Sequence, residues 1–241
     1  KKTAEVDGFR GYTSGDKFFG EDCSLYTFHL KKYAGISDNG ESMWYYNAEE
    51  PVLDANGAPT VDADGKAVTK TVMKTTTTYD DADYYLCGTS LPDAYGGFST
   101  SLTWKGFDFS IDFVYQIGGQ VLDSDYASLM ASPTSDSRGT NIHVDIYDSW
   151  TAANQTNIPR FQYNDQYNSS TSDRFLLDGS YLDLQNINFG YTLPSKWTRK
   201  LKMDKFRVYV SGENLLTLTN YPGLDPEMGT SVTYPLMKQY A

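Results

Sequence analysis

The chain has 241 residues, 39% hydrophobic, 15% aromatic and 21% charged, which is enough for a sizeable core and indicates one domain. Its formal net charge of −11 argues against a nucleic-acid partner and against a peripheral helix on anionic lipid, because both require clustered Lys and Arg. There are 20 Tyr against 12 Phe and 4 Trp, a Tyr excess that is typical of membrane interfaces and sugar-facing surfaces but also occurs in soluble β-sandwiches.

Hydropathy excludes one kind of membrane protein but not another. No run of about 18 apolar residues occurs, so no transmembrane helix is predicted. The mean hydropathy of −0.51 by itself suggests a soluble protein. That inference is weak, because barrel strands need only alternate apolar and polar residues and their loops and lumen faces are polar. The opening residues contain no apolar stretch, so no signal peptide is predicted.

The first 96 residues show little regular alternation, and only 26–33 and 43–46 are candidate strands. Two acidic segments, 54–57 and 62–65, raise the question of a calcium site. Counted from Asp62, the fifth and twelfth positions of a calcium loop hold Lys66 and Met73, which do not fit as ligands. Because Asn-Gly and Asp-Gly are also standard tight-turn dipeptides, turns are favoured, and no metal or cofactor is predicted.

Side chains that commonly carry chemistry are sparse. Cys23 and Cys87 form no Cys-x-x-Cys pair, which argues against zinc, and a disulfide between them stays open. His29 and His143, the only histidines, lack a second ligand at helical or strand spacing. The acidic run at 80–83 suits a solvated loop better than paired catalytic carboxylates, because strand neighbours point to opposite faces. The chain is therefore predicted not to be an enzyme.

The clearest strand is predicted at 107–115, where apolar and polar residues alternate strictly. Its apolar positions include Phe107, Phe109, Ile111 and Phe113, and its polar positions include Asp108 and Asp112. The preceding segment, 97–104, presents an apolar face of its own, and Lys105-Gly106 predicts a tight turn between the two. The aspartates would suit a water-filled lumen, although a soluble half-buried strand shows the same alternation, so both interpretations remain open.

The rest of the chain divides into a long irregular stretch and a second hairpin. From 118 to 179 no convincing alternation occurs, and 126–130 and 142–150 are predicted as short helices. The hairpin strands are predicted at 180–191 and 206–216, joined by a short basic connection at 194–205. In the first of these strands the apolar parity switches near Asn186, which predicts either a β-bulge or a strand that leaves a membrane at that point.

Six segments, in order along the chain, resemble SusC-like TonB-dependent transporters of Bacteroidetes-type bacteria. Two of the matching segments are 172–194 and 206–227. They contain the most specific sequences, 180–191 (SYLDLQNINFGY) and 206–227 (FRVYVSGENLLTLTNYPGLDPE). The other matching segments are 33–46 (YAGISDNGESMWYY), 88–97 (GTSLPDAYGG), 107–130 and 150–160 (WTAANQTNIPR).

The resemblance implies an all-β fold, an antiparallel transmembrane β-barrel of the large plugged class in the outer membrane of a Gram-negative bacterium. It implies import of a glycan or other oligomer, such as an oligosaccharide or peptide, together with a SusD-like surface lipoprotein and the TonB complex. Because the signal peptide, plug domain, TonB box and last strand of a full member are not found, the chain is expected to be the C-terminal part of the barrel.

On this basis the chain is expected to divide into five parts. Residues 1–96 are expected to be mostly extracellular loop with one or two strands, 97–117 and 180–216 to be barrel hairpins, 118–179 a long extracellular loop, and 217–241 an extracellular loop leading to a truncated last strand. The short connections at 105–106 and 194–205 are expected to face the periplasm. The apolar face around Ile111 is expected to contact outer-membrane lipid.

Aromatic residues of the outer loops are the candidate contacts for substrate or lipoprotein, because sugars stack on aromatic faces. They are Trp44, Tyr45, Tyr46, Trp150, Tyr163 and Tyr167. For any single one of these residues, a place in an aromatic girdle at the membrane interface or packing within the loops is favoured over direct ligand contact. The alternative to a transporter is a soluble, secreted, carbohydrate-binding β-sandwich, which would stay in buffer where a barrel partitions into detergent.

Overall fold

A computed structural model describes residues 4–6, 9–135, 139–165, 167–223, 225–228, 234 and 236–241 of the chain. The described residues are mostly antiparallel β-structure, which confirms the predicted all-β class. Their strands are β1 Ala4–Val6, β2 Phe9–Ser14, β3 Lys17–Gly20, β4 Thr27–Lys31, β5 Tyr33–Ile36, β6 Ser42–Pro51, β7 Thr69–Thr76, β8 Tyr84–Thr89, β9 Pro92–Trp104, β10 Phe107–Gly118, β11 Gln120–Leu122, β12 Leu176–Asp178, β13 Tyr181–Thr192, β14 Arg207–Thr219 and β15 Gln239–Tyr240.

Helical structure is limited to short segments. The α-helices are α1 Ser124–Leu129 and α2 Ser195–Thr198, and 3₁₀ helices occupy Tyr79–Asp81, Val144–Asp148, Asp173–Phe175 and Arg199–Leu201. The helices predicted at 126–130 and 142–150 are thus found as α1 and the 3₁₀ helix Val144–Asp148. Within the described residues no helix has the length and apolar character needed to cross a membrane.

The chain forms two compact units. The first contains Lys1–Gly88 and Ser124–Leu176, and the second contains Thr89–Asp123 and Leu177–Ala241. The first unit holds a sheet with the order β1-β2-β3-β4-β8 and a three-stranded sheet, β5-β6-β7. The second holds a five-stranded sheet with the order β15-β14-β13-β10-β9. The four long strands of that sheet, β9, β10, β13 and β14, are called the wall.

Among the described residues, eight strands lie between Ala4 and Thr89, where the sequence led us to expect one or two. The alternation signal is weak there because these strands are short and belong to small sheets. One of the expected strands, 26–33, is in fact two, β4 and β5, which are separated at Lys32. The segments at 54–57 and 62–65 are turns, in which Asp54 and Asp62 each accept hydrogen bonds from backbone N–H groups two and four residues further on.

Burial differs between the two units. The buried apolar side chains of the first unit include Phe18, Phe28, Leu30, Trp44 and Met130. The wall has no comparable core, since it is a single layer of strands. Cys23 and Cys87, both described residues of the first unit, form no disulfide, which resolves the open question.

Two connections define the ends of the wall. At one end, Lys105 and Gly106 both have positive φ, 49° and 92°, the conformation that a two-residue hairpin turn of type I′ requires. At the other end, the chain leaves the wall after β10 and returns at β13 through a narrow neck. There, the Gly118 N–H donates to Ser180 Oγ at 2.9 Å and the Gly179 N–H donates to the Gly119 carbonyl at 2.8 Å.

Candidate functional site

One face of the wall is apolar along its whole length. Residues paired directly across strands lie on the same face of a sheet, so the register defines rows that run over all four strands. The rows are Trp104–Phe107–Tyr191–Val208, Leu102–Phe109–Phe189–Val210, Thr100–Ile111–Ile187–Gly212, Phe98–Phe113–Leu184–Leu216 and Gly96–Tyr115–Leu182–Leu218. Several of these side chains are strongly exposed, including Leu102 and Val210 at 65% each.

A β-bulge keeps this face continuous. Asp112 pairs with Asn186 and Phe113 pairs with Leu184, so Gln185 is the extra residue in β13. Without it, the apolar residues on the two sides of Asn186 would point to opposite faces. The bulge predicted from the parity switch near Asn186 is therefore confirmed, and its role is to bring Leu182 and Leu184 onto the face that carries Ile187 and Phe189.

The opposite face of the wall carries a polar network. Arg207 of β14 reaches across β13 to Asp108 of β10, with an Nη2–Oδ2 distance of 2.5 Å and an Nε–Oδ1 distance of 3.1 Å. Gly190 lies beneath this ion pair, and a Cβ there would approach Arg207 Nη2 to 2.5 Å and Asp108 Oδ2 to 2.6 Å. Further along, Asn186 donates to Asp112 Oδ2 at 3.2 Å. A wall with one apolar and one hydrogen-bonded polar face can separate lipid from water.

In the first unit, an aromatic cluster surrounds Trp44 of β6. The ring of Trp44 makes edge contacts with Tyr33, Tyr79 and Tyr167, at centroid distances of 6.4, 5.2 and 6.0 Å. Trp44 is 1% exposed, so it belongs to the core. The cluster fixes the position of Tyr167, which is only partly buried.

Burial in and around this cluster changes how several groups ionise. Desolvation, reinforced by Tyr84, raises the pKa of Tyr79 to about 12, and its hydroxyl donates to the Thr171 carbonyl at 2.6 Å. Burial also raises the pKa of Asp173, although the Tyr33 N–H donates to this carboxylate at 2.6 Å. Burial lowers the pKa of Arg174, whose guanidinium lies 5.4 Å from the Tyr33 ring. Hydrogen bonds and ring contacts therefore hold these groups in or beside the cluster.

A cleft of about 340 Å³ borders Tyr167. Its lining is mostly polar and includes Glu41, Thr77, Thr78, Arg160, Gln162 and Asn164. Arg160 is held in place by an ion pair with Glu41 at 2.7 Å and by a hydrogen bond to the Asn39 carbonyl at 3.1 Å. The amides and hydroxyls of this cleft can donate and accept hydrogen bonds next to an aromatic ring.

A second cavity, of about 590 Å³, is lined largely by apolar side chains. Its lining includes Ile142, Val144, Ile146, Tyr147, Trp150 and Phe161. Trp150 is positioned by a hydrogen bond from its backbone N–H to the Ile158 carbonyl at 2.8 Å and by contact of its ring with Gly40. Gly40 has φ of +81°, and a Cβ on it would lie 2.3 Å from Trp150 Cε3.

The structure separates the six aromatic candidates rather than gathering them at one site. Trp44 is in the core, where it supports Tyr167 and does not face solvent. Trp150 lines the apolar cavity and Tyr167 lines the polar cleft. Tyr163 is 64% exposed. Tyr45 and Tyr46 are half-buried on opposite faces of β6, because side chains alternate along a strand.

The polar residues of the cleft were not among the sequence candidates. Arg160 and Glu41 are 119 residues apart in the chain, and no motif or periodic spacing links them. Only the tertiary fold brings them together. Within the described part of the chain, no group of three or more His, Cys, Asp or Glu is placed to hold a metal ion.

Comparison with known sequences relates the chain to TonB-dependent receptors. No protein-family model matches it. The chain is 34% identical over 202 residues to TonB-dependent receptor P3 of Formosa agariphila, covering 83% of this chain and 18% of that protein. It is 27% identical over 224 residues to TonB-dependent receptor SusC of Bacteroides thetaiotaomicron, covering 91% of this chain and 20% of that protein. The chain thus spans about one fifth of the length of these curated relatives.

Comparison with solved structures gives the same relationship. The RagAB peptide transporter matches with a TM-score of 0.64 and 29% identity, covering 89% of this chain and 22% of that chain. The RagAB peptide importer in its closed-closed state matches with a TM-score of 0.65 and 25% identity, covering 93% of this chain and 25% of that chain. By sequence and by fold, this chain is similar to the SusC-like TonB-dependent receptors of the Gram-negative outer membrane.

Proposed function

We propose that the chain is part of a TonB-dependent importer that carries an oligomeric nutrient across the outer membrane. The observation that carries this proposal is the wall, with an uninterrupted apolar face on one side and the network around Asp108 and Arg207 on the other. The similarity to TonB-dependent receptors supports it. The wall strands have 12 or 13 residues, enough to cross a bilayer, which takes about 9–11.

The proposed topology follows from the unequal connections. The turn at 105–106 and the connection at 194–205 face the periplasm, and the stretch 118–179 lies outside the cell, because outer-membrane barrels have short periplasmic turns and longer external loops. Residues 1–96 and 217–241 belong to the external side for the most part. The proposed boundaries of the barrel hairpins remain 97–117 and 180–216.

The proposed partners are a SusD-like surface lipoprotein and the TonB complex, and the proposed substrate is an oligosaccharide or a peptide. The structural neighbours are described as a peptide transporter and a peptide importer, which supports a peptide, whereas the oligosaccharide is proposed from the resemblance of the sequence to SusC-like transporters. The polar cleft beside Tyr167 suits either ligand, because hydroxyls and peptide groups both hydrogen-bond to amide and guanidinium side chains. The cavity beside Trp150 suits an apolar ring or side chain.

Extraction of the native protein separates this proposal from a soluble β-sandwich. We expect the full protein that contains this chain to pellet with outer membranes and to enter solution only with detergent. Leu102 and Val210, both 65% exposed on the wall, are the kind of side chain that a soluble protein would have to cover. Recovery of the native protein in buffer without detergent would contradict the proposal.

Substitution of the accessible aromatic residues tests substrate or lipoprotein contact. In the full native protein, we expect Trp150→Ala, Tyr163→Ala or Tyr167→Ala to reduce oligosaccharide or peptide uptake, lipoprotein co-purification, or both. Tyr26→Ala, at a Tyr that is 51% exposed and outside both cavities, is the matched control. Tyr45→Ala and Tyr46→Ala complete the set, while Trp44→Phe reports on the support of Tyr167. Normal uptake and normal co-purification in all of these variants, with normal assembly, would place recognition elsewhere.

A further inference from the structure

The connection between β13 and β14 is strongly basic in a chain that is acidic as a whole. Residues 194–205 contain five Lys or Arg and one Asp, whereas the whole chain has a net charge of −11. The basic side chains are Lys196, Arg199, Lys200, Lys202 and Lys205, and all five are exposed. Within the described residues none of them forms an ion pair. We call this segment the basic connection.

The basic connection has a defined conformation. α2 and the following 3₁₀ turn place the charges on a compact fold that is anchored by Thr198, which is 1% exposed. The Met203 N–H donates to the Thr198 carbonyl at 3.0 Å, and the Leu193 N–H donates to the Phe206 carbonyl at 2.9 Å. Trp197 extends from α2 and is 59% exposed. The charges and this indole ring are therefore held together at the surface.

The basic connection lies at the end of the wall where the apolar face terminates in aromatic rings. The last apolar row contains Trp104, Phe107 and Tyr191, and the Phe107 and Tyr191 ring centroids are 4.4 Å apart. The Thr192 N–H donates to the Gly106 carbonyl at 2.7 Å, which joins the two connections at this end. Lys105 is exposed and lies 4.9 Å from the Trp104 ring. Aromatic rings at the edge of an apolar band mark the level of lipid headgroups.

We infer that the basic connection, together with Lys105 and Trp197, is a binding site for the headgroups of anionic phospholipids. The inference rests on the proposed function, since it requires the apolar face of the wall to lie in a bilayer. Clustered Lys and Arg just beyond a membrane-spanning segment attract anionic headgroups, and an exposed Trp is favoured in the same interfacial zone. With the short connections on the periplasmic side, the lipids bound are phospholipids of the inner leaflet.

The test measures lipid preference in the full native protein, purified in detergent and offered equal amounts of phosphatidylglycerol and phosphatidylcholine. The ratio of the two bound lipids is read by native mass spectrometry. We expect the wild type to prefer phosphatidylglycerol and Lys200→Gln/Lys202→Gln to reduce that preference about thirtyfold, because each of the two Lys contributes about 1 kcal/mol near an anionic surface. Lys66→Gln/Lys70→Gln, two exposed lysines of the first unit, is the matched control and should keep the preference.

A second measurement locates the lipid. Phosphatidylglycerol with brominated acyl chains should quench tryptophan fluorescence more in the wild type than in Trp197→Phe, and the difference should shrink at high ionic strength, which screens exposed charges.

No preference for phosphatidylglycerol, or an equal loss in the control double variant, would overturn the inference. Insertion of the protein into vesicles distinguishes failure of this inference from failure of the proposed function. If the protein inserts equally into vesicles of either lipid, the proposed function is retained and the lipid-binding site is rejected. If it inserts into neither, the proposed function is wrong.

Discussion

At the scale of single residues, Gly40, in the turn before β6, packs against the Trp150 ring that lines the apolar cavity. Its φ of +81° is in the left-handed region, and a Cβ would overlap the Trp150 ring. Its carbonyl also accepts the N–H of Arg160 at 2.8 Å. A single missing side chain therefore allows Trp150 and Arg160, which border different cavities, to pack against the same turn.

We predict that Gly40→Ala lowers the free energy of unfolding by about 2–4 kcal/mol, as left-handed backbone strain adds to an overlap that the ring must relieve. Gly57→Ala is a matched control, because Gly57 has the same φ of +81° but no atom within 4 Å of an added Cβ. It should cost only the backbone part, about 1 kcal/mol. Thermal unfolding and tryptophan fluorescence measure both variants. Equal costs for the two would show that Trp150 does not press on Gly40.

At the scale of elements, an ion pair between Asp108 and Arg207 joins β10 to β14 across β13. Gly190 leaves room for the Asp108–Arg207 pair, and we predict that Gly190→Ala displaces this pair and destabilises the wall by about 1–3 kcal/mol. The pair itself contributes little to stability, because both side chains are about one third exposed and solvent screens their charges.

The steric origin of this effect can be tested with a double-mutant cycle. In an Arg207→Ala background the space above Gly190 is partly free, so the additional cost of Gly190→Ala should fall. Stability is measured by denaturant unfolding of the refolded native protein in detergent. An unchanged cost in the Arg207→Ala background would mean that Gly190 serves the backbone and not the ion pair.

Substitution by Arg is expected to have very different costs on the two faces of β10. We expect Ile111→Arg to destabilise the membrane-inserted fold by about 2–4 kcal/mol, the range for Arg on a lipid-facing position near the midplane. Ser110→Arg, one residue away on the polar face, should cost far less. Refolding into vesicles with a denaturant titration gives both values. If the order of the two costs is reversed, the apolar face does not meet lipid.

Much of the wall could be predicted from the sequence, since strict alternation at 107–115, the Lys105-Gly106 turn and the parity switch near Asn186 are all local signals. The first unit was not predictable in the same way. Its strands are short, and partners such as Glu41 and Arg160 are far apart in sequence. The burial of Trp44 also escaped prediction, because an aromatic run at 44–46 carries the same signal whether it is in a core or at a binding surface.

At the scale of the whole molecule, the proposed topology predicts which connections an external protease can reach. The basic connection contains five exposed trypsin sites, so it should be cut readily wherever trypsin has access. With intact cells, we expect cleavage within 118–179 and none at 194–205. With permeabilised cells, cleavage at 194–205 should appear. Cleavage of the basic connection in intact cells would reverse the orientation of the barrel.

The neck at Gly118, Gly119, Gly179 and Ser180 has a consequence for how such a protein can change during evolution. Hydrogen bonds at the neck already hold together the two ends of the segment that connects β10 to β13. The entropy of closing a loop grows only with the logarithm of its length, by about 0.6 kcal/mol for each doubling. A lineage could therefore lengthen, shorten or exchange residues 120–178 at a small cost in stability and, if the proposed function holds, acquire a new nutrient while the strands of the wall stay the same.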